Sequence, residues 1–232
     1  MDIEPEALAA SLRRLHDLDD DVLRALDETI TACVDLFGVS GSGLMIIDEQ
    51  HALRDVASSD GPGRVLEKVQ AETGQGPCVD TFVNDRMVST ADIGTDDRWP
   101  ASRATIAEHG VHAVLGIPVH VGGLAVGSLD VYLDRPHDWN DSETSALLRY
   151  GQVVETTLRA AMVAHQAGEL ADQLRHALDH RVVIERGVGF LMARERVGAV
   201  EAFSVLRSTA RSRRRKVIDV ARELLETGAL PR

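Results

Sequence analysis

The 232-residue sequence contains few aromatic residues, few cysteines and no long apolar run. Phe, Trp and Tyr make up only 3% of it, too few for the stacking surface on which some β-sheets bind single-stranded bases. Two cysteines, Cys33 and Cys78, cannot build a disulfide framework or a four-thiolate zinc site. The longest apolar runs, such as residues 111–121, fall well short of the roughly 20 residues that span a membrane. We therefore expect a protein with no membrane contact and no disulfide framework.

Signals for export, metal and cofactor are also missing. The first residues, Met1–Pro5, include acids where a signal peptide carries Lys or Arg. We therefore expect a cytoplasmic protein, in which both cysteines remain thiols. The nine histidines are scattered without metal-ligand spacing, so the sequence predicts no metal site and no cofactor.

The net charge of −12 is unevenly distributed along the chain. Residues 175–232 hold 13 Lys/Arg and 7 Asp/Glu, a net charge of +6. The remaining 12 bases and 30 acids give residues 1–174 a net charge of −18. A basic segment attached to an acidic one indicates either a polyanionic partner or a solvated basic face.

Residues 20–133 show a mixed pattern of helices and strands. Apolar residues at helical spacing predict a helix over Asp20–Phe37, closed by Gly38. Two β-rich runs flank Gly122-Gly123, the usual sequence of a two-residue hairpin. Between the first helix and this hairpin we predict strands at Gly43–Asp48, Ala52–Ser58 and Met87–Thr90, and helices near Leu66–Val69, Cys78–Val83 and Pro100–His109. This order predicts an α+β domain with a largely antiparallel sheet and flanking helices.

A long connecting helix is predicted to follow. Asn140 with Glu143 three positions on forms a capping-box start. A seam at alternating spacings of three and four continues through Val153, Thr156, Ala160, Val163, Ala167, Leu170, Leu174 and Ala177. This seam predicts either a parallel dimeric coiled coil or a packing stripe within one chain.

Residues 170–228 are predicted to form an all-α three-helix bundle. Apolar stripes end near Arg194, near Ala210 and before Gly228, which suits a helix C-terminus. Core packing does not require the basic cluster, residues 211–216, which has five cations among six residues. These cations are either a solvated face or an anion-binding surface.

Residues 20–160 resemble a GAF domain of the kind found in actinobacterial regulators. The resemblance rests on Glu72–Cys78, Asp97–Pro100, Gly110–Val119 and Gly127–Tyr132. It implies a sensory module that binds a small molecule or mediates dimerisation, with Gly76, Cys78 and Trp99 as candidate ligand contacts. Cys78 is either a redox or ligand-contacting thiol or a buried, inert one.

Residues 170–228 resemble an ANTAR domain, through Ala177–Arg194, Glu201–Arg207 and Lys216–Ala221. The resemblance implies a three-helix module that binds RNA hairpins in nascent transcripts and prevents termination, usually as a dimer under the control of a sensor. Two departures are Gly187-Val188-Gly189, where the family usually has Ala-Lys-Gly, and Arg214, where it commonly has asparagine.

These resemblances give one leading hypothesis, a non-enzymatic GAF–ANTAR antitermination regulator that acts as a homodimer. The predicted organisation is an N-terminal segment (1–19), a sensor (20–160), a connecting helix (140–180) and an RNA-binding domain (170–228). The expected RNA-binding residues are Arg181, Arg186, Arg211, Arg213, Arg214, Arg215 and Lys216. The alternatives are a GAF-fold enzyme or redox sensor that uses Cys78, and a DNA-binding transcription factor.

Overall fold

The computed structural model describes residues 3–16, 22–48, 52–164 and 169–231. Within these ranges the strands are β1 (Gly41–Ile47), β2 (Leu53–Ser58), β3 (Val88–Thr90), β4 (Ala113–Val121) and β5 (Leu124–Leu133). They form one sheet in the order β2-β1-β5-β4-β3, in which every neighbouring pair is antiparallel. The predicted α+β class with an antiparallel sheet is confirmed.

The hairpin between β4 and β5 turns at Gly122 and Gly123. Both glycines have positive φ angles, 61° and 80°, as the two central positions of a type I′ turn require. Val121 pairs with Leu124 across the turn. The glycine pair therefore sets the register next to the turn, and an irregularity between Val119 and His120 shifts it for the rest of the two strands.

Helices cover both faces of the sheet. They are α1 (Pro5–His16), α2 (Val22–Phe37), α3 (Gly61–Thr73), α4 (Pro77–Asn84), α5 (Arg103–Glu108) and α6 (Asp141–Ala164). Successive residues of β4 point to opposite faces: a Cβ atom at Gly116 would contact Thr81 of α4, whereas Ile117 lies against Gly151 of α6. Because α3 packs beside α4 and α2 beside α6, the sheet lies between two helical layers.

Helix α1 lies where the sequence pattern predicted only a polar start. Its Ser11 is buried and accepts a hydrogen bond from the Tyr150 hydroxyl of α6 at 2.6 Å. Helix α1 also packs against α2. Leu8, Leu12 and Leu15 lie at helical spacing and pack in or against the core, a local signal for this helix that the sequence prediction missed.

Three further helices form the predicted bundle: α7 (Glu169–Glu195), α8 (Ala199–Arg213) and α9 (Val217–Thr227). We call residues 3–164 the body and residues 169–231 the bundle. Gly187 of α7 is buried, and a Cβ atom there would lie 3.0 Å from the Cβ of Ala221 in α9. In the described part of the chain, no helix is both long enough and apolar enough to cross a bilayer.

The predicted connecting helix begins as expected but does not continue as one element. Asn140 and Glu143 form the reciprocal capping box, with bonds of 3.0 and 2.9 Å. Arg175 Nη2 then donates to the carbonyl of Met162 at 2.5 Å. In one continuous helix these residues would be about 20 Å apart, so α7 instead runs back against α6.

The residues of the predicted seam differ in burial. Leu174 is fully buried in the chain's own core, and Thr156 and Ala160 are exposed on α6. The side chains at positions 163, 167, 170 and 177 lie outside the described residues. Burial of Leu174 favours the stripe within one chain at that position of the seam.

Candidate functional site

The basic cluster occupies the joint between α8 and α9, and all six of its residues are exposed. Arg214 ends α8 with a φ of 51°, and its backbone N–H donates to the carbonyl of Arg211 at 3.2 Å. Lys216 is the N-cap residue of α9. The left-handed turn therefore brings the last side chains of one helix and the first of the next to one corner of the bundle.

Most of the cluster's charge has no counter-charge among the residues that the structure describes. Arg215 Nη1 lies 2.5 Å from Glu223 Oε2 of α9. The other cations have no side-chain hydrogen bond or ion pair with any residue the structure describes: Arg211, Arg213, Arg214 and Lys216. Four such charges in and around one turn favour a polyanionic partner.

The two cations expected on the first helix of the bundle have different surroundings. Arg186 is exposed, whereas the side chain of Arg181 is only 8% exposed. Arg181 Nε donates to Glu185 at 2.7 Å, and its guanidinium lies 4.7 Å from the ring centroid of Phe82 in the body. In this arrangement Arg181 therefore lies under the body and is not part of an open basic surface.

The contact between the body and the bundle is formed by α4, α7 and α8. Phe82 of α4 meets Phe203 of α8 edge to face, with ring centroids 6.1 Å apart. Arg207 Nη2 donates to the carbonyl of Ala71 at 3.2 Å. A cavity of about 210 Å³ remains beside this contact, between Phe82 and residues of α7 that include Arg181 and Met192.

Two of the candidate ligand contacts, Gly76 and Cys78, lie at the start of α4 and contact the side chain of Gln70. The Gln70 side chain accepts from the Cys78 backbone N–H and donates to its sulfur, both at 2.8 Å. Gly76 has a φ of 146°, and a Cβ atom there would overlap the same Gln70 side chain. Burial, followed by the charge of Asp130, raises the pKa of the Cys78 thiol well above its usual value. This favours the buried, inert cysteine over the nucleophile.

Trp99, the third candidate, lies in the segment between β3 and α5 and is buried. The guanidinium of Arg98 stacks 4.2 Å from its ring centroid and is bonded to Asp96 at 2.6 Å. The backbone N–H of Ala101 donates to Gln75, which links this segment to the one that contains Gly76. None of the three candidates lines the cavity beside Phe82 or a second, larger cavity between β2, α3 and α8.

Two buried carboxyl groups beneath α3 and α4 were not predicted. Glu67 and Asp130 are each only 2% exposed, and Gly43 and Gly116 leave the space that their side chains occupy. Burial, strengthened by the neighbouring Asp55, raises the pKa of Glu67 to about 10. Burial also raises the pKa of Asp130 to about 7. For Asp130 the available signal was an acidic residue within the apolar, almost entirely buried strand β5.

A larger cavity, of about 680 Å³, lies where β2 and α3 of the body meet the end of α8. Glu67 and Arg211 both line it, so it joins a buried group of the body to the basic cluster of the bundle. The described residues include no group of three or more His, Cys, Asp or Glu side chains placed to hold a metal ion.

Comparison with family models assigns both parts. The model of the GAF domain matches residues 21–158, and that of the ANTAR domain matches residues 172–225. The chain belongs to the GAF family and carries a C-terminal ANTAR domain. This combination of domains indicates a regulatory protein.

Solved structures resemble the GAF part in fold. The GAF domain of a phosphoenolpyruvate-protein phosphotransferase from Coxiella burnetii has a TM-score of 0.57 at 16% identity, covering 69% of this chain and 95% of that one. A free methionine-R-sulfoxide reductase from Neisseria meningitidis has a TM-score of 0.56 at 16% identity, covering 68% and 90%. A phycocyanobilin-bound GAF domain from a cyanobacterial phytochrome has a TM-score of 0.56 at 13% identity, covering 68% and 97%.

At these identities the similarity establishes the GAF fold alone. No curated protein gives a match to this chain.

Proposed function

We propose that the protein is a signal-responsive RNA-binding regulator. In this proposal the ANTAR domain binds hairpins in nascent transcripts and prevents termination, and the GAF domain controls it in response to a small-molecule or protein signal. The chain acts as a homodimer, as the family resemblance implies.

The observation that carries the proposal is the basic cluster at the α8–α9 joint. Its four cations without a partner among the described residues project from one turn of an ANTAR domain, inside a chain whose net charge is −12. Lysine and arginine bind phosphate, and arginine also stacks on unpaired bases. The one aromatic ring of the cluster's own helix, Phe203, is buried against the body, so the proposed recognition relies on cations.

The contact between body and bundle is the proposed route of control. It buries Arg181, one of the expected RNA contacts, against Phe82 of the GAF domain. RNA would then reach Arg181 only after α4 and α7 separate. A signal that changes this contact would change which cations the ANTAR domain presents.

The direct test is a binding comparison with the full chain. Fluorescence anisotropy would measure binding to a hairpin RNA with an unpaired loop and to duplex DNA of equal length, each at several salt concentrations. We expect tighter binding to the RNA, with an affinity that falls steeply as salt rises because bound phosphates release counterions. The Arg213→Ala/Arg214→Ala double variant should bind more weakly while its melting temperature is unchanged.

Two outcomes would contradict the proposal. Tighter binding to duplex DNA would favour a DNA-binding transcription factor, and no binding to a pool of hairpins would exclude RNA binding by this chain. The Cys78→Ser variant is the control for an enzyme or redox sensor, and we expect it to bind RNA as the parent does.

A further inference from the structure

The 680 Å³ cavity is built by both domains. Strand β2 and helix α3 of the GAF domain form its walls, and Arg211 of the ANTAR domain reaches it from the end of α8. Cavities of about 300–1,000 Å³ are typical of small-molecule sites, and many such sites lie between domains. Its size and position therefore suit a small ligand that contacts sensor and output together.

Four cations from three elements line this cavity. They are Arg54 of β2, Arg64 and Lys68 of α3, and Arg211 of α8. Arg54 is paired with Asp48 at 2.7 Å. The side chains of the other three have no hydrogen bond or ion pair with any part of the chain that the structure describes.

A fifth cation adds to the positive charge on one side of the cavity. Arg207, one helical turn before Arg211, donates to the carbonyl of Ala71, which is also a lining residue. Burial lowers the pKa of Arg207, and repulsion from Arg211 and Arg54 lowers it further. Asp48 partly offsets this repulsion.

Three carboxyl groups also line the cavity, but they do not balance these cations. They are Asp55, Glu67 and Glu72. Because the pKa of Glu67 is raised to about 10, this buried carboxyl is uncharged at neutral pH and can donate a hydrogen bond. Its Oε1 atom has no hydrogen-bond partner among the described residues. With Arg54 paired to Asp48, the other three lining cations outnumber the two remaining carboxyl groups, Asp55 and Glu72.

We propose that this cavity binds a small organic phosphate with two or more negative charges, which bridges Lys68 and Arg64 of the GAF domain to Arg211 of the ANTAR domain. The inference deepens the proposed sensor role and rests on that part of the proposed function, but it does not require RNA binding. Phosphate groups match the lining cations, and the bridge would stabilise the contact that covers Arg181. Such a ligand would therefore hold the bundle on the body.

Isothermal titration calorimetry of the full chain with ADP, in the presence of a chelator, tests the site directly. Pyrophosphate serves as the charged group alone and adenosine as the uncharged control. We expect one ADP per chain, weaker binding at higher salt and no binding of adenosine. Lys68→Gln and Arg211→Gln should each weaken ADP binding at least tenfold.

The matched control is Arg213→Gln, because Arg213 belongs to the same exposed cluster but does not line the cavity. Its ADP affinity should stay within twofold of the parent's. Equal losses in Arg211→Gln and Arg213→Gln would assign ADP to the basic cluster in general and overturn the proposal. No binding of ADP or pyrophosphate at millimolar concentration would also overturn it.

The hairpin-RNA assay separates this inference from the proposed function. If ADP binding depends on Lys68 and Arg211 but no hairpin binds, the cavity site stands and the RNA-binding function fails. If hairpins bind but ADP does not, the function stands and the cavity site fails. If both bind, we expect 5 mM ADP to weaken hairpin binding at least threefold in the parent and not in Lys68→Gln.

Discussion

Arg214 adopts a backbone conformation that residues other than glycine and asparagine seldom use. Its φ and ψ are 51° and 42°, in the left-handed region, where it ends α8. In this region a Cβ atom approaches the following carbonyl oxygen, at a cost of roughly 1–2 kcal/mol. The asparagine that the ANTAR resemblance implies at this position suits the turn, because its short polar side chain tolerates this geometry.

We therefore expect Arg214→Asn to raise the free energy of unfolding by about 0.5–1 kcal/mol, measured by urea denaturation. The control is Arg213→Asn, at the last helical position of α8, which should lower or leave unchanged the free energy of unfolding. Equal effects of the two substitutions would show that the left-handed turn is not strained.

The same two positions test which cations contact phosphate. We expect Arg213→Ala and Arg214→Ala to differ in their effects on hairpin-RNA affinity, because the turn directs the two side chains differently. A variant that loses a phosphate contact should also lose about one unit from its salt slope. Arg215→Ala is the internal control, since that charge is already paired with Glu223. Unchanged affinity in all three variants would make the cluster a solvated face.

Glu67 makes the stability of the protein depend on pH. Its pKa is about 10 in the folded chain, against an ordinary 4.5, so the folded state retains a proton that the unfolded state releases. The contribution of Glu67 to the free energy of unfolding is therefore most favourable below pH 4.5 and declines as the pH rises towards 10. Asp130 acts in the same direction between its ordinary 3.8 and about 7.

We expect Glu67→Gln to flatten this dependence between pH 7 and 9. The free energy of unfolding of the parent should fall with a slope of up to about 1.4 kcal/mol per pH unit more than that of the variant. Chemical denaturation at a series of pH values measures both slopes, and Glu72→Gln, an exposed residue of the same helix, is the control. Parallel slopes in parent and Glu67→Gln would mean that Glu67 is ionised when folded.

At the scale of elements, the two glycines of α7 have different roles. Gly187 packs closely on Ala221 of α9, whereas a Cβ atom at Gly189 would meet no heavy atom within 4 Å. We expect Gly189→Ala to raise the free energy of unfolding by about 1 kcal/mol, the difference in helix propensity. Gly187→Ala should gain less or be destabilising, because α9 must move away. Thermal denaturation of the two variants measures the difference, and equal gains would contradict the close contact.

The relation between α6 and α7 changes how dimerisation has to be tested. Leu174 lies in the chain's own core, so a charged residue there would disrupt folding as well as any coiled coil. Monomers formed by such a variant would not identify the interface. The homodimer is best tested on the unmodified chain, by native mass spectrometry or light scattering.

At the scale of the whole molecule, Arg181 and Arg186 test the contact between the domains. Arg181→Ala removes the stacking on Phe82 and the bond to Glu185, so we expect a loss of about 1–2 kcal/mol in stability and faster amide exchange in α4. Arg186→Ala, at an exposed position of the same helix, should leave both unchanged. A loss of hairpin affinity in Arg181→Ala with no change in stability or exchange would instead assign Arg181 to RNA.

Much of the fold is determined by local sequence signals. Apolar periodicity predicted α2 and the three helices of the bundle, the glycine pair predicted the β4–β5 turn, and Asn140 with Glu143 predicted the start of α6. Each of these signals acts between residues a few positions apart, where hydrogen-bonding geometry and backbone sterics leave few alternatives. The run of five cations within residues 211–216 was likewise visible in the sequence.

Tertiary structure decided the features that depend on distant residues. Helix α1 packs on α2 and α6, and α7 runs back against α6; both arrangements depend on contacts between residues far apart in the sequence. The burial of Arg181 by Phe82 and the raised pKa of Glu67 both follow from contacts between separate elements. The cavity that joins α3 to Arg211 exists only because the bundle packs on the body. Exposure and electrostatic environment depend on which distant residues pack together, and the sequence alone does not specify these contacts.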